Sequence, residues 1–217
     1  MLQIYGHPFS SYTWKALIPL YANGTPFEFR SVDPGEGADN GEFVAAAHPA
    51  GKFPVLVDGD TTVVEATAIV EYLAVHHPGP APLIPPDPAQ AATARMIDRV
   101  FDNYVMNTAT RVVLAYIVGN GTPDPTEVED AKAGLRRSYH WLEDWLGANT
   151  LPPHVSLVTC AAAPALFYAD WIEPIPDDHP RLKALRAELL ALPSVSRCVE
   201  EARPFRHYFP PGAPDRD

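Results

Sequence analysis

Cysteine is nearly absent from this sequence: Cys160 and Cys198 are the only two among 217 residues. They are far apart and belong to no CxxC and no Cys/His cluster. That excludes a disulfide scaffold and a cysteine-built zinc knuckle, and it suits a reducing compartment. Basic residues are also few. Lys and Arg total 16 against 27 Asp and Glu, a formal net charge of −11, and no basic patch or arm interrupts the acidic background. A nucleic-acid partner is therefore not expected. No run approaches the ~20 apolar residues of a membrane span. The nearest, Cys160 to Tyr168, is short and holds Pro164. The N-terminus lacks a basic region leading into an apolar run, so no secretion signal is expected and the assignment is cytoplasmic. The eight histidines form no HExxH or other close ligand set, and neither GxSxG nor GxxxxGK[ST] occurs. Those absences argue against a metal site, a serine hydrolase and a phosphate-binding loop.

What remains is an ordinary globular composition, 47% apolar, with 25 prolines spread between segments as punctuation. The first 78 residues alternate strand and helix signals. Leu2 to Tyr5 is a short strand, and Gly6-His7-Pro8-Phe9 is a turn. Ser10 or Ser11 caps a helix that carries Trp14, Leu17, Ile18 and Tyr21 and stops at Asn23-Gly24. Pro26 to Val32 reads as a second strand, Asp33 to Asn40 as a polar loop, and Glu42 to Ala47 as a short helix. Pro54 to Val57 and Thr62 to Val64 flank the turn Asp58-Gly59-Asp60 as a hairpin. A helix then runs from Glu65, with Ile69, Tyr72 and Leu73 on one face, to His77-Pro78-Gly79. This order predicts one mixed sheet with helices on its faces.

Residues 79–88 hold Pro80, Pro82, Pro85, Pro86 and Pro88, a stiff interdomain linker. Strand signals then vanish. Ala89 to Val118 reads as one long amphipathic helix, with Tyr104 assigned to core packing. Val128, Ala131, Leu135, Tyr139, Leu142 and Leu146 mark the next. Ser156 to Tyr168 is a helix apolar all round, hence buried. Leu182, Leu185 and Leu189 mark another, and Ser194 opens a last short one. The tail from Pro204 to Asp217 reads as extended. Residues 89–217 are thus an all-helical domain.

Three local sequences, in this order, resemble the cytosolic glutathione S-transferases, and the likeness of element order covers nearly the whole chain. Ser10-Ser11-Tyr12-Thr13-Trp14-Lys15 looks like the Ser-Ser-x-Ser-Trp-Arg segment of the zeta class. Pro49-Ala-Gly51-Lys52-Phe53-Pro54-Val55-Leu56 is similar to Asn-Pro-x-Gly-Lys-Val-Pro-Val-Leu. Glu65-Ala66-Thr67-Ala68-Ile69-x-x-Tyr72-Leu73 is similar to Glu-Ser-x-Ala-Ile-x-x-Tyr-Leu. In the helical half, Ser156 to Thr159 falls where the family has a Ser-Leu-Ala-Asp capping box, with Thr159 in place of Asp. The resemblance implies a thioredoxin-like N-terminal domain, an all-α C-terminal domain, a homodimer and glutathione as co-substrate in a detoxifying transferase.

What it implies for the site can be weighed chemically. Only thiolate is nucleophilic, and a free thiol has a pKa near ~8.5. Lowering it by ~2 units takes ~2.7 kcal/mol of preference for the anion, and one hydrogen bond to a charged group contributes ~1.5–3 kcal/mol. A hydroxyl at a helix N-terminus can roughly supply that. The resemblance makes Ser10 the thiolate donor, with Ser11 second; on spacing alone either is an ordinary cap. It also makes Phe53-Pro54 cis, turning the Val55 backbone outward along an open strand edge to pair with the tripeptide. Glu65 would meet the γ-glutamyl ammonium, and the Ala66 and Thr67 amides its carboxylate. Ala66 stands where the family has Ser or Thr, a lost hydroxyl worth ~1 kcal/mol for which Thr67 could compensate. Lys52 would meet a ligand carboxylate. Tyr12, Asn103, Tyr104, Asn107 and Arg111 are assigned to the second-substrate wall.

The function expected is thiolate attack on a small electrophile. The alternatives are a glutathione-dependent isomerase of the maleylacetoacetate type and a non-catalytic binding protein of the same fold. A thiol-disulfide reductase ranks low, because it needs cysteine where Ser10 stands.

Overall fold

The computed structural model describes residues 1–33 and 38–217. Four strands form one mixed sheet in the order β2-β1-β3-β4: β1 (Gln3–Gly6), β2 (Glu28–Ser31), β3 (Val55–Asp58) and β4 (Thr61–Val64). Strands β1 and β2 run parallel, joined by α1 (Ser11–Asn23). Strands β3 and β4 are antiparallel, and Ile4 lies opposite Leu56, which lies opposite Val63. The alternation in β1 places Leu2, Ile4 and Gly6 inside while Gln3 and Tyr5 are half-buried. α2 (Ala38–Ala47) and α3 (Ala66–His76) complete the α/β half. α2 begins four residues earlier than the sequence suggests, so the stretch read as loop is helical from Ala38. Residues 34–37 of that stretch lie outside the described residues.

The helical half comprises α4 (Pro88–Val100), α5 (Asn107–Val118), α6 (Pro125–Ala148), α7 (Leu157–Ile172), α8 (Pro180–Ala191) and α9 (Pro193–Ala202). This is the thioredoxin-like plus all-α arrangement expected. The starts of α4 and α6 are chemically explicit. Asp87 accepts the Gln90 amide at 2.9 Å and Asp124 the Thr126 amide at 2.8 Å, each followed by proline at the first helical position. α4 and α5 are not one regular helix: Phe101–Met106 is π-helical. Each π turn holds an extra residue, so the face beyond it is rotated relative to a regular helix. Tyr104, read as core, is instead 60% exposed.

α7 is the centre of the molecule. Almost every residue from Leu157 to Ile172 is buried, and α1 packs directly on it. Its start keeps a capping box despite the Asp-to-Thr departure: the Ser156 amide donates to Thr159 Oγ1 at 3.2 Å. The tail is not extended throughout. Arg203–Tyr208 forms a 3-10 helix and Phe209 is buried behind it. Arg216 and Asp217 hold the end down, on Asp170 and on Arg203 and Arg206.

One buried ion cluster joins the two halves. Lys15 of α1 is 1% exposed, and its Nζ lies 2.5 Å from Asp98 Oδ1 and 2.7 Å from Asp102 Oδ2. It also donates to Thr67 Oγ1 at 2.8 Å. Arg99 closes the set, its Nη2 2.5 Å from Asp98 Oδ2 and 2.9 Å from Asp102 Oδ2. Two cations and two carboxylates balance. Breaking a buried pair leaves a charge without its counterpart. Lys15→Met is therefore expected to destabilise the fold by about 3–5 kcal/mol, read from urea unfolding. A midpoint equal to the wild type would contradict the cluster's structural weight.

A second carboxylate ties α6 to α8. Glu143 accepts the Arg181 and Leu182 amides at 3.2 and 2.8 Å and Arg181 Nη1 at 3.1 Å. Burial works against its charge, but the two amides and the guanidinium outweigh it and hold the carboxyl below its ordinary value. A lowered folded-state pKa gives stability that is present above the unfolded value of about 4.3 and lost as pH falls through the folded value. Glu143→Gln should cost about 1–3 kcal/mol at neutral pH. It should also flatten the acid limb below about pH 4.3, measured by urea titrations at several pH values.

Candidate active site

The residues after β1 build the site's centre. The chain turns at His7, whose Nδ1 accepts the Phe9 amide at 3.0 Å while its carbonyl accepts the Ser10 amide at 3.0 Å. That turn sets Ser10 in extended backbone as the N-cap of α1, its Oγ accepting the Thr13 amide at 3.3 Å. Ser11 is the first helical residue. Trp14 anchors the turn from below: its indole N–H donates to Pro8 O at 2.7 Å, and its ring packs on Phe167 and Tyr168. The hydroxyl of Ser10 therefore uses a lone pair to cap the helix and keeps its own proton to donate.

A cavity of about 430 Å³ opens over this cap. Phe9, Ser10, Ser11 and Tyr12 line one side, and Gly51, Lys52 and Phe53 line another. Met106, Thr110 and Val113 come from the π segment and α5, and Tyr168 and Ile172 from α7. Tyr208, Phe209 and Pro210 come from the tail. Of the residues assigned from sequence, Ser10, Ser11, Tyr12, Lys52 and Phe53 meet at this cavity. Asn103, Tyr104, Asn107 and Arg111 do not line it; all four are exposed. The helix turns a neighbouring face, that of Met106, Thr110 and Val113, to the cavity. The tail's contribution was missed as well, since a stretch of Pro and aromatic residues read as extended gives no sign of where it docks.

The Phe53–Pro54 peptide is cis, as the resemblance implies. Val55, however, is not on an open edge. β3 is an interior strand, and Val55 is fully buried between Tyr5 of β1 and Val64 of β4. An interior residue has both backbone groups directed at a neighbouring strand, so Val55 has none to offer a ligand. Phe53 lies beyond the ladder and faces the cavity, 36% exposed. Pro54 is buried behind it.

Glu65, Ala66 and Thr67 sit at the start of α3, outside the cavity lining, and the Glu65 charge reaches Tyr12 on the cavity wall. Burial, then Asp102, push the Tyr12 hydroxyl up to about 12, with Arg99 opposing and Glu65 and Asp98 adding. Tyr12 is therefore a neutral donor at any physiological pH. Glu65 holds φ at 71°, a left-handed conformation that costs a non-glycine residue about 1–3 kcal/mol. Its side chain is 73% exposed, and one carboxylate oxygen lies 3.3 Å from His48 Nε2. His48 Nδ1 accepts the Ala50 amide at 3.0 Å, which puts the ring proton on Nε2, facing Glu65. His48 was not singled out from the sequence; its place just before Pro49-Ala-Gly51 was the available signal.

Thr67 does not compensate for Ala66. Its hydroxyl is held by Lys15 at 2.8 Å and Asp98 at 3.1 Å, inside the buried cluster. Asp102, buried in that cluster beside the half-exposed Arg99, has its carboxyl raised first by burial, with Lys15 opposing. Burial pushes both thiols up, Cys160 and Cys198 alike, so neither is a nucleophile. Among the described residues no group of His, Cys, Asp or Glu is arranged to hold a metal ion. No described helix is long and apolar enough to cross a membrane.

Comparison with known proteins places this arrangement. The family described as glutathione S-transferase, N-terminal domain, matches residues 4–81. Glutathione S-transferase 3 of Zea mays is 30% identical over 151 residues, 68% of this chain and 68% of that protein. A probable maleylacetoacetate isomerase of Vibrio cholerae is 27% identical, covering 94% of this chain and 97% of its own. A solved glutathione S-transferase of Methylobacterium radiotolerans, in complex with glutathione sulfonate, superposes with a TM-score of 0.75 at 25% identity. It covers 91% of this chain and 94% of its own. The chain belongs to the glutathione S-transferase family.

Proposed function

We propose that this protein binds glutathione over the start of α1 and ionises its thiol with Ser10 for attack on a small electrophile. The observation that carries this reading is the Ser10 cap: a hydroxyl on the cavity wall whose lone pair takes the Thr13 amide at 3.3 Å. That bond leaves its proton to the thiolate. The N-terminus of α1 adds its positive dipole end at the same place. Together they supply about the ~2.7 kcal/mol that a pKa drop of ~2 units requires. This is the serine-type, zeta-like assignment, with Ser11 as the second hydroxyl at the same helix end.

In this reading the γ-glutamyl group meets Glu65 and the Ala66 and Thr67 amides, and Lys52 takes a ligand carboxylate. The tripeptide backbone pairs beside Phe53 rather than Val55. Tyr12, Met106, Thr110, Val113 and the tail residues Tyr208 and Phe209 form the acceptor wall, which is largely apolar and favours a hydrophobic electrophile. We assign the glutathione-binding domain to residues 1–78, the linker to 79–88 and the acceptor domain to 89–217. A cytoplasmic homodimer is the expected assembly. A glutathione-dependent isomerase is the second reading, supported by the full-length likeness to the Vibrio cholerae protein. It uses the same thiolate, adding it to a double bond and releasing it after rotation.

The test is calorimetry of glutathione binding together with thiolate absorbance against pH. Wild type should bind and ionise the bound thiol below its solution pKa. Ser10→Ala should bind comparably and lose about 1–2 units of that shift. A Ser10→Ala variant with the wild-type thiolate curve would move the role to Ser11 or Tyr12. Ala66→Ser restores the missing hydroxyl beside the γ-glutamyl carboxylate. It is expected to tighten binding by about fivefold, equivalent to ~1 kcal/mol. Unchanged affinity would mean that the α3 amides alone hold that group.

A further inference from the structure

Three cations of this acidic chain gather around one cavity away from the Ser10 cavity. A cavity of about 440 Å³ sits between the end of α7, α8 and the tail, within the range of small-molecule sites (about 300–1,000 Å³). Its lining holds three cations, Lys183, Arg186 and Arg216, against one carboxylate, Asp170; Pro174, Ile175 and Ala187 form an apolar wall. Both oxygens of the carboxylate are already engaged. Asp170 Oδ1 accepts the Ile175 amide at 2.8 Å, and Oδ2 takes Arg216 Nη1. Arg216 Nη2 donates to the Asp170 carbonyl at 2.7 Å.

Arg186 is left over. Its side chain is only 15% exposed, and its Nη2 lies 3.3 Å from Asp170 Oδ2 without forming a hydrogen bond. Nε and Nη2 are both shielded from solvent and have no hydrogen-bond acceptor among the described residues. Buried polar groups are nearly always satisfied, so a guanidinium in this state marks a place where a further acceptor belongs. Burial depresses its pKa, with Asp170 opposing and Arg216 adding to the drop. Among the described residues Lys183 is paired only with Asp177, which is fully exposed, and such a surface pair is a weak competitor for a ligand.

We propose that the cleft formed by Lys183, Arg186 and Arg216 binds a small organic phosphate monoester. The phosphate oxygens would take the three cations and the organic group would lie on Pro174, Ile175 and Ala187. Guanidinium pairs and lysine are the side chains that recognise tetrahedral oxyanions. The cavity is larger than a bare inorganic ion requires.

Calorimetry with phenyl phosphate, inorganic phosphate and chloride at matched ionic strength tests this. Phenyl phosphate should bind saturably, inorganic phosphate should compete more weakly, and chloride should not compete. Lys183→Gln, on the surface and not part of the core, should weaken phenyl phosphate by about tenfold, and Arg186→Lys by at least as much. Ser10→Ala should leave this binding unchanged, which separates the cleft from the glutathione cavity. The proposal is overturned if phenyl phosphate does not bind, if Lys183→Gln and Arg186→Lys both bind as wild type, or if glutathione displaces it. A preference for inorganic phosphate would also overturn it, leaving a bare-anion site.

Discussion

The buried Lys15 is the constraint on which the rest of this structure depends. An ammonium that is 1% exposed persists only with partners in place, and its partners come from three helices. Thr67 lies at the start of α3, Asp98 in α4 and Asp102 in the π segment. Satisfying one charge thus fixes the angle at which the sheet half meets the helical half. The same contacts pin the first turn of α3, whose amides face the ligand's γ-glutamyl end in the function proposed above. A site formed between two packed halves needs such a joint, because apolar contacts are non-directional and would tolerate sliding. The Lys15 cluster has direction.

The second economy is at Ser10. A helix cap and a thiol-ionising hydroxyl make compatible demands on one side chain. Capping consumes a lone pair, and stabilising a thiolate consumes the proton. The turn that positions Ser10 is held by His7 from one side and by the Trp14 indole from below. Its rotamer is therefore set by the fold and needs little rearrangement when a ligand arrives. That is preorganisation of the kind that makes one hydrogen bond effective in a partly dry site.

Local chemistry was what the sequence made legible. The Ser10 cap, the Gly24 stop and the Asp58-Gly59-Asp60 hairpin are decided by residues within a few positions of one another. So are the punctuating prolines and the all-round apolar pattern of α7. The resemblance added the cis Phe53–Pro54 peptide. What escaped were consequences of long-range pairing. Val55 looked like an edge residue because nothing in its own neighbourhood says that β1 will cover one side. Lys15 sits in an apolar helix, where its partners 83 and 87 positions away are invisible (98 − 15 and 102 − 15). Asn103 and Asn107 were assigned to the acceptor wall through the resemblance, and nothing in their spacing announces the π segment over Phe101–Met106. The tail was read from its prolines as extended, yet its aromatic residues fold onto Phe9 and Trp171.

A chain with a net charge of −11 is an odd host for acidic ligands only if charge is summed over the whole molecule. Exposed charges beyond about 8 Å are largely screened at physiological ionic strength, so the local field decides binding. Around the Ser10 cavity that field comes from the amide end of α1 and from Lys52, with few mobile cations. In the cleft behind the tail it comes from three cationic side chains around one engaged carboxylate. The two solutions differ in kind. Backbone dipoles are fixed, suit a reacting group whose charge must be held at one point, and cannot be titrated away. Side-chain cations adapt to shape and suit a ligand that is only held. With the acidic remainder of the surface screened, the function and the ligand proposed above make these two basins the places where an anion gains by arriving.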